Sequence, residues 1–559
     1  MNKAVKTILF SVVIGAISLG SFGFVESYFE ITKNLDIFST VYREINVNYV
    51  EETNPGKLVK TGIDAMLGSL DPYTNYIPES DIEDYRFMTT HEYGGVGAVI
   101  GTRDDHVMIT EPYQGFPADK AGLKAGDIIL EVDGESAVGK NSSQLSDMLR
   151  GQKGTPIHVK ISRPATDETL ERDLVREKIK IDDVPYFGML DKGVGYVSLS
   201  GFTETASKDV KAAIEKLKAD GMEELVLDLR GNGGGLLHES VNIVNFFVDR
   251  GEDVVEVKGK VKEHYRMNKA LNAPLDSKIP LVVLIDEGSA SASEIVSGAL
   301  QDLDRAVIIG HNSFGKGLVQ TTHDLSYNSK LKLTIAKYYT PSGRCIQRLD
   351  YGGKRDARGK AMEIPDSLLA EFKTRNGRIV RDGAGITPDL KVEDKEYSDL
   401  LATVMRENLV FDYATEFYFD HDSIDEPEDF ALSDAQYKDF ISFVLKHEFE
   451  YKTSSTEKMK DLKQEIEDDE FWQEVQEEYE ALASKLERDK EQDFMKFQDE
   501  IRLMLESEII GRYYYSKGRI RAYLSYDPEI KKAIEVLNNK TYYDSVLAGT
   551  CTDCLVKKG

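Results

Sequence analysis

The spacing of apolar and polar residues divides the chain into four regions with different predicted structures. From 26 to 89 the spacing is typical of helices, interrupted by turn residues at Asn54-Pro55-Gly56 and at Asp71-Pro72. From 90 to 180 short β-rich runs alternate with turns that contain glycine and aspartate, which predicts a compact, mostly β domain. Its predicted strands are 96–100, 107–110, 128–132 and 157–161, with one helix at 143–149.

The third region, 181–395, alternates predicted strands with predicted helices. Strands are expected at 195–199, 224–229, 280–285 and 306–309, and helices at 207–217 and 291–303. This alternation predicts an open α/β sheet with helices on its faces. Chemistry in such sheets gathers where strands end and helices begin, so the loops after these strands are the first candidates for a functional site.

The last region, 396–559, is predicted to be helical and acidic. Between Glu465 and Glu500 there are fifteen acidic and four basic residues, and an apolar stripe of helical spacing runs from Val475 to Leu486. The pattern favours a solvated helical bundle or an interaction appendage. The fold class is therefore multidomain, α+β and α/β: a helical N-terminal segment, a β domain, an α/β core with an open sheet, and an acidic helical C-terminal extension.

Composition narrows the function. The chain has 559 residues, with 70 Lys and Arg against 98 Asp and Glu, a net charge of −28. A chain this acidic is a poor candidate for binding nucleic acid, which requires a basic surface. Three cysteines exclude a disulfide-rich scaffold, and no Cys/His cluster has metal-site spacing, so neither a metal nor a cofactor is expected. For Cys551 and Cys554 a disulfide, half a metal site and two idle thiols stay open, and we favour idle thiols.

The N-terminus predicts export. Lys3 and Lys6 precede an apolar run from Ile8 to Val25, the pattern of a secretory signal peptide over 1–25. No clear cleavage site follows, so an uncleaved membrane anchor is an alternative, and a buried first helix is a third. We expect the folded domains to lie outside the cytoplasm, in the periplasm or cell envelope.

Two glycine-rich segments resemble nucleotide-binding motifs incompletely. The segment from Gly310 to Gly317 resembles a P-loop, but Gly317 occupies the Ser/Thr position and a strand, not a helix, is predicted to follow. The segment from Gly231 to Gly235 lacks the third glycine of a dinucleotide fingerprint, because Leu236 stands there. It instead predicts a tight turn that exposes backbone N–H groups.

Ser291 has two interpretations. Ser291-x-x-Glu294 is a capping box at the start of a predicted helix. A serine at a helix N-terminus beside a sheet edge is also well placed as a nucleophile, because the helix dipole favours developing negative charge. No histidine carries the signature of a general base, and Lys316, between two glycines, is the candidate because burial can lower a lysine pKa.

Several segments together resemble one family, the carboxyl-terminal processing (tail-specific) serine proteases with an embedded PDZ domain. The similar segments are 70–77, 115–129, 228–230, 289–295, 314–320 and 338–343, and the resemblance covers about 35–395. It implies a protease core at 181–395, with Ser291 as nucleophile, Lys316 as general base and Gln320 orienting that base. It also implies an oxyanion hole formed by the backbone N–H groups of Ala292 and Gly234.

The same resemblance implies a PDZ domain at 90–180. Its loop residues Gly95, Val96 and Gly97 would bind the terminal carboxylate of a protein substrate, while its sheet edge pairs with the extended tail. The expected partners are proteins with apolar or flexible C-termini, and the sequence leaves open an adaptor, self-association and membrane contact through the N-terminus. The main alternative function is a catalytically inactive PDZ scaffold; a second is a hydrolase of small esters that uses the same Ser–Lys pair, against which the PDZ domain argues.

Overall fold

The computed structural model describes residues 29–191, 193–356, 358–393, 396–447, 449–486 and 490–557. The predicted signal or anchor at 1–25 lies outside these ranges. None of the described helices has the length and apolarity needed to cross a membrane. The chain divides into two packed units: Met1–Ser80 with Gln320–Thr334, and Asp81–Val319 with Ile335–Gly559.

The helices of the described ranges are α1 (29–48), α2 (Pro55–Gly68), α3 (Ile82–Thr90), α4 (Pro117–Lys120), α5 (Ser142–Leu149), α6 (Ala206–Ala219), α7 (Leu237–Asn245), α8 (Ala292–Asp302), α9 (Asp399–Arg406), α10 (Leu409–Asp420), α11 (Asp434–Lys446), α12 (Ser454–Asp468), α13 (Trp472–Leu486), α14 (Lys490–Lys496), α15 (Gln498–Leu524), α16 (Pro528–Leu537) and α17 (Lys540–Leu547).

The strands are β1 (Asn75–Ile77), β2 (Glu92–Gly95), β3 (Ala98–Arg103), β4 (His106–Pro112), β5 (Ile128–Val132), β6 (Glu135–Ser136), β7 (Pro156–Arg163), β8 (Glu168–Val175), β9 (Glu177–Lys180), β10 (Tyr186–Asp191), β11 (Val194–Ser198), β12 (Glu224–Asp228), β13 (Asp253–Gly259), β14 (Arg266–Lys269), β15 (Leu281–Ile285), β16 (Val307–Gly310), β17 (Leu318–Asp324), β18 (Lys330–Tyr339), β19 (Leu349–Arg355), β20 (Ala361–Glu363), β21 (Glu371–Lys373), β22 (Ile379–Arg381) and β23 (Leu390–Lys391).

The first unit contains α1, α2 and the short strand β1, which pairs antiparallel with residues 330–332 of β18. The turn residues predicted at 54–56 mark the start of α2: the Asn54 side chain accepts a hydrogen bond from the Lys57 amide, and Pro55 occupies the first turn. The helical character predicted for this segment is confirmed. The strand β1 was not predicted, because three residues are too short to show an alternating pattern.

The β domain predicted at 90–180 contains a sheet of order β3-β4-β5-β7-β8, with β6 paired to β5 and α5 packed beside β3. Its core contains Val107, Ile109, Ile129 and Ile161, all almost completely buried. The four predicted strands are confirmed, with ends displaced by up to three residues. The strands β8 and β9 were missed because β8 is mostly polar and exposed, with only Leu174 buried.

The central sheet of the second unit has the order β10-β11-β12-β15-β16-β23, parallel except for the edge strand β10. Alternate residues of β12 pack on opposite faces: Leu225 and Leu227 join the core beneath α6, α7 and α8, while Val226 joins the core on the other face. The predicted open α/β sheet with helices on its faces is confirmed.

The helices that cover the second face come from the C-terminal extension. Ile530 and Val536 of α16 and Tyr543 of α17 pack against Val226 and Val282, and the Tyr543 hydroxyl accepts a hydrogen bond from the Leu281 amide at 3.0 Å. The interpretation of the whole extension as a solvated bundle or appendage is therefore wrong for α16 and α17. It fits α12 and α13, which contain no buried residue.

Near the C-terminus Cys551 and Cys554 are joined as a disulfide, whereas Cys345 is free. Our preference for two idle thiols is therefore wrong. Two residues between the cysteines are compatible with a disulfide because the turn there brings their Cα atoms to 5.6 Å, within the usual range.

Candidate active site

Ser291 lies in the loop between β15 and α8, immediately before the helix. Its backbone has φ +55° and ψ −108°, a conformation that non-glycine residues rarely adopt, which indicates local strain. Two contacts fix it: the Ser291 amide donates to Glu294 Oε2 at 2.8 Å, and the Tyr338 hydroxyl donates to the Ser291 carbonyl at 3.0 Å. The first contact is the Glu294 half of the predicted capping box.

Lys316 lies in the loop between β16 and β17. Its amide donates to Glu294 Oε2 at 2.9 Å, and the amide of Gly315 donates to Glu294 Oε1 at 2.7 Å. The amide of Phe314 donates to the carbonyl of Ser289, two residues before Ser291. The structure therefore brings the Ser291 and Lys316 loops together, with both residues half-buried and both amides bonded to one carboxylate oxygen.

Glu294 has no solvent exposure, although it is ionisable. Besides the three amides it accepts a hydrogen bond from the Ser313 hydroxyl at 2.5 Å. Burial raises the pKa of Glu294, and these four donors oppose the rise. All four are donors, which is the environment that suits an ionised carboxylate. Complete burial, with a smaller contribution from the nearby charge of Glu294, raises the pKa of Tyr338 well above its usual value.

The glycine loop after β12 lies against Ser291. A Cβ placed on Gly234 would be 2.8 Å from Ser291 Cβ and 2.9 Å from the Ala292 nitrogen, so only glycine leaves the backbones this close. The buried Asn232 holds the loop: its carbonyl accepts from the Ala290 amide, and its side-chain oxygen accepts from the Gly234 amide at 2.9 Å. The Gly234 N–H must break this hydrogen bond before it can donate to an oxyanion.

Gln320 belongs to the first unit, at the start of the β17 segment 320–324. Its Nε2 donates to the Thr334 hydroxyl at 3.2 Å. Its role as the residue that orients Lys316 stays a prediction.

The three residues predicted to bind a terminal carboxylate, Gly95, Val96 and Gly97, differ in their surroundings. Gly95 ends β2 and pairs with Glu177 of β9. The Val96 carbonyl accepts from the Ala118 amide, and the Gly97 carbonyl accepts from the Tyr113 amide. Gly97 has φ +75°, and a Cβ on it would lie 2.5 Å from Phe116 Cβ, so this loop is tightly packed from behind.

A charged cluster borders the glycine loop. Arg230 is paired with Asp228, the last residue of β12, and its Nη1 lies 2.8 Å from Asp527 and 3.3 Å from Glu529 of the α16 start. Burial and the neighbouring Asp527 raise the pKa of Glu529. The other carboxylate oxygen of Glu529, Oε1, lies 3.6 Å from Nε2 of His311, a residue at the start of the Lys316 loop. The C-terminal extension thus contacts two loops of the candidate site.

Sequence reasoning missed Asn232 and Tyr338 and gave Glu294 only a capping role. The Ser291-x-x-Glu294 spacing was the available signal for Glu294, but it does not reveal contacts with residues 313–316. No group of His, Cys, Asp and Glu that could hold a metal ion occurs in the ranges that the structure describes.

Comparison with known proteins gives three family matches. Residues 193–356 match peptidase family S41, residues 108–163 match a PDZ domain, and residues 400–537 match a family described as "Probable PDZ-protease, C-terminal helical domain".

Individual relatives agree with these matches. A carboxy-terminal-processing protease of Bartonella bacilliformis is 40% identical over 319 residues, 56% of this chain and 73% of the relative. A "Probable CtpA-like serine protease" of Staphylococcus aureus is 37% identical over 317 residues, 56% of this chain and 62% of the relative. Among solved structures, the photosystem II D1 C-terminal processing protease is 31% identical, with a TM-score of 0.34, covering 64% of this chain and 92% of that one.

Proposed function

We propose that this protein cleaves other proteins near their C-termini with a Ser291–Lys316 pair. The chain belongs to the carboxy-terminal-processing proteases of peptidase family S41 and is a serine-type peptidase. The observation that carries the proposal is the shared oxygen of Glu294. Because the amides of both residues bond to it, a hydroxyl and an amine are held on adjoining loops beside the glycine loop.

In the proposed reaction the neutral Lys316 amine takes the proton of the Ser291 hydroxyl while Ser291 Oγ attacks a peptide carbonyl carbon. The oxyanion is stabilised by backbone N–H groups, for which Ala292 and the Gly234 loop are the candidates. Lys316 then gives its proton to the departing amine as the C–N bond breaks. A water, deprotonated by the same amine, hydrolyses the ester and regenerates Ser291. Gln320 is proposed to orient the Lys316 amine.

The test is turnover of a purified protein substrate with a flexible apolar tail. Ser291→Ala and Lys316→Ala should each abolish cleavage while the melting temperature stays within a few degrees. Lys316→Arg should be equally inactive, because a guanidinium does not deprotonate at usable pH. The control Lys337→Arg, at an exposed position of β18, should keep full activity. Substantial activity of Lys316→Arg would contradict the base role, and inactivity of the wild type would favour the scaffold alternative.

We also propose that the PDZ region selects substrates by their free C-termini. The strand β3 pairs on one side only, with β4, among the described strands, and α5 lies beside it: the Ser142 amide donates to the Thr102 hydroxyl. An extended tail that adds to β3 would end at the loop of Gly95, Val96 and Gly97. Its carboxylate would then meet backbone N–H groups there.

Binding of free and amidated tail peptides to full-length Ser291→Ala tests this selection. Charge-assisted hydrogen bonds contribute about 1.5–3 kcal/mol, so amidation should weaken binding about ten- to a hundredfold. Equal binding of both peptides would place recognition elsewhere. A bulky replacement of Gly97 is not a clean test, because its side chain would collide with Phe116 before any ligand arrives.

The cellular location is a further part of the proposal. The positive residues Lys3 and Lys6 and the apolar run 8–25 support export of the folded domains, by a cleaved signal or a retained anchor. N-terminal sequencing of the protein from its native host would distinguish a cleaved signal from a retained anchor. Export itself is tested by adding protease to cells whose outer envelope is permeabilised while the cytoplasmic membrane stays intact, and protection of the domains there would contradict it.

A further inference from the structure

The Glu294 carboxylate is the one group in the described chain that bonds directly to both the Ser291 amide and the Lys316 amide. Its Oε2 accepts from these two residues at 2.8 and 2.9 Å, and its Oε1 accepts from Gly315 and Ser313. Three of the four donors belong to residues 313–316 of the Lys316 loop, and the fourth is the Ser291 amide. An ordinary capping box contains only the last of these contacts.

This arrangement exceeds what helix capping requires. Burying an ionisable group is unfavourable unless it is fully hydrogen-bonded, and the neutral glutamine that capping boxes also use could accept the Ser291 amide without a buried charge. The contacts instead determine a distance between two loops that follow different strands, β15 and β16. Because Ser291 also has a strained backbone, its position depends on such external contacts.

We infer that Glu294 is a positioning residue that sets the geometry between the Ser291 hydroxyl and the Lys316 amine. The inference rests on the proposed function, because it assigns Glu294 to the same reaction without placing it on the substrate. Proton transfer requires the two heavy atoms within hydrogen-bond reach, and a misplacement of about 1 Å can reduce the rate about a hundredfold.

The test is Glu294→Gln, which keeps the size of the side chain but replaces one acceptor oxygen by an NH₂ group. That NH₂ cannot accept the amide bonds that a carboxylate oxygen accepts, so at least one loop contact is lost. The matched control is Glu500→Gln: Glu500 is also buried and accepts from the Ser398 amide and hydroxyl, but it belongs to α15. Glu294→Asp, which keeps the charge but shortens the reach, is a second variant.

We expect Glu294→Gln to lower kcat at least about tenfold with KM within about twofold, because tail binding does not involve the residue. A purely structural residue would change the melting temperature without this split between kcat and KM. Glu500→Gln should change neither kinetic quantity.

Hydrogen exchange at the amides of Ser291, Gly315 and Lys316 provides a readout besides turnover, and it also serves if Glu294→Gln is unstable, since Glu294→Asp can be measured in its place. Faster exchange is expected at Gly315 if the glutamine oxygen stays on Ser291 and Lys316, and at those two amides if the oxygen turns to Gly315. Unchanged kcat, or unchanged exchange at all three amides, in a folded Glu294→Gln would overturn the inference. If the wild type cleaves no protein, the proposed function fails, and exchange alone then decides whether Glu294 positions the two loops.

Discussion

Gly234→Ala is the substitution that tests most directly whether the glycine loop and Ser291 form one site. Gly234 has φ +98°, and an added Cβ would lie 2.6 Å from the Ala290 carbonyl oxygen, 2.8 Å from Ser291 Cβ and 2.9 Å from the Ala292 nitrogen. Two of these three atoms are backbone, so no flexible side-chain end can move aside. The loop or Ser291 must shift.

The required shift follows from the contact distances. Ordinary van der Waals contact of a Cβ begins at 3.4 Å, so the 2.6 Å approach to the Ala290 oxygen requires a displacement of about 0.8 Å. The positive φ adds about 1–2 kcal/mol of backbone strain for a residue with a Cβ. Displacements of about 1 Å at reacting groups cost about a hundredfold in rate, equivalent to about 2.7 kcal/mol of activation free energy.

The assay compares kcat, the rate of covalent labelling of Ser291 by a serine-directed reagent, and the melting temperature. Gly233→Ala is the matched control, because it is the adjacent glycine, has no positive φ and would meet no atom within 4 Å. We expect Gly234→Ala to lose about a hundredfold in kcat and labelling, and Gly233→Ala to stay within about threefold of the wild type.

The reasoning would be refuted by a folded Gly234→Ala enzyme with wild-type kcat and labelling rate. That result would mean that the glycine loop absorbs the displacement without moving Ser291, and Gly234 would then have no place in the oxyanion hole. Equal losses in Gly233→Ala and Gly234→Ala would instead show that any substitution disturbs the loop, so that the contact with Ser291 would not explain the effect.

Two further predictions concern stability. Tyr543→Phe should destabilise the central sheet by about 1–3 kcal/mol, because the buried Leu281 amide loses its acceptor, and the urea midpoint of unfolding should fall. The control is Tyr542→Phe. Because the Tyr542 hydroxyl bonds to the exposed Asp553, its removal should leave the urea midpoint nearly unchanged. Burial acts to raise the pKa of Asp276, but the Lys218 ammonium and two backbone amides outweigh it and lower that pKa. The stability that Asp276 contributes is therefore present above its unfolded pKa of roughly 3.9, and it is lost as the pH falls through the lower folded pKa. Asp276→Asn should consequently flatten the acid limb of a curve of unfolding free energy against pH.

The central sheet could be predicted from the sequence because its strands are buried on both faces. Strands such as β15, whose five residues are all buried, appear as continuous apolar runs flanked by helices of clear amphipathic spacing. The polar strand β8 and the three-residue β1 lack that signal. Helix α16 shows a clear apolar face, but the sequence does not say which surface that face covers, and so its place on the sheet could not be predicted.

The candidate site, like the fold, could be predicted only in part from the sequence. The residues around Ser291 and Lys316 made them candidates, but the roles of nucleophile and base came from the family resemblance and stay predictions. Glu294 was visible only as a helix cap, because three of its four donors lie about twenty residues further along the chain. Tyr338 lies 47 residues from Ser291, and no local pattern indicates a hydrogen bond at that separation. Contacts that depend on tertiary folding leave no periodic signal.

The order of the strands explains why these loops meet. In the central sheet β12, β15 and β16 are parallel neighbours, although 52 residues separate the end of β12 from the start of β15. The glycine loop, the Ser291 loop and the Lys316 loop each follow the carboxyl end of one of these three strands. Parallel pairing therefore brings the three loops to one edge of the sheet, where ligands bind in open α/β folds. The order of the strands brings the loops close together, and the Glu294 carboxylate joins the Ser291 loop to the Lys316 loop.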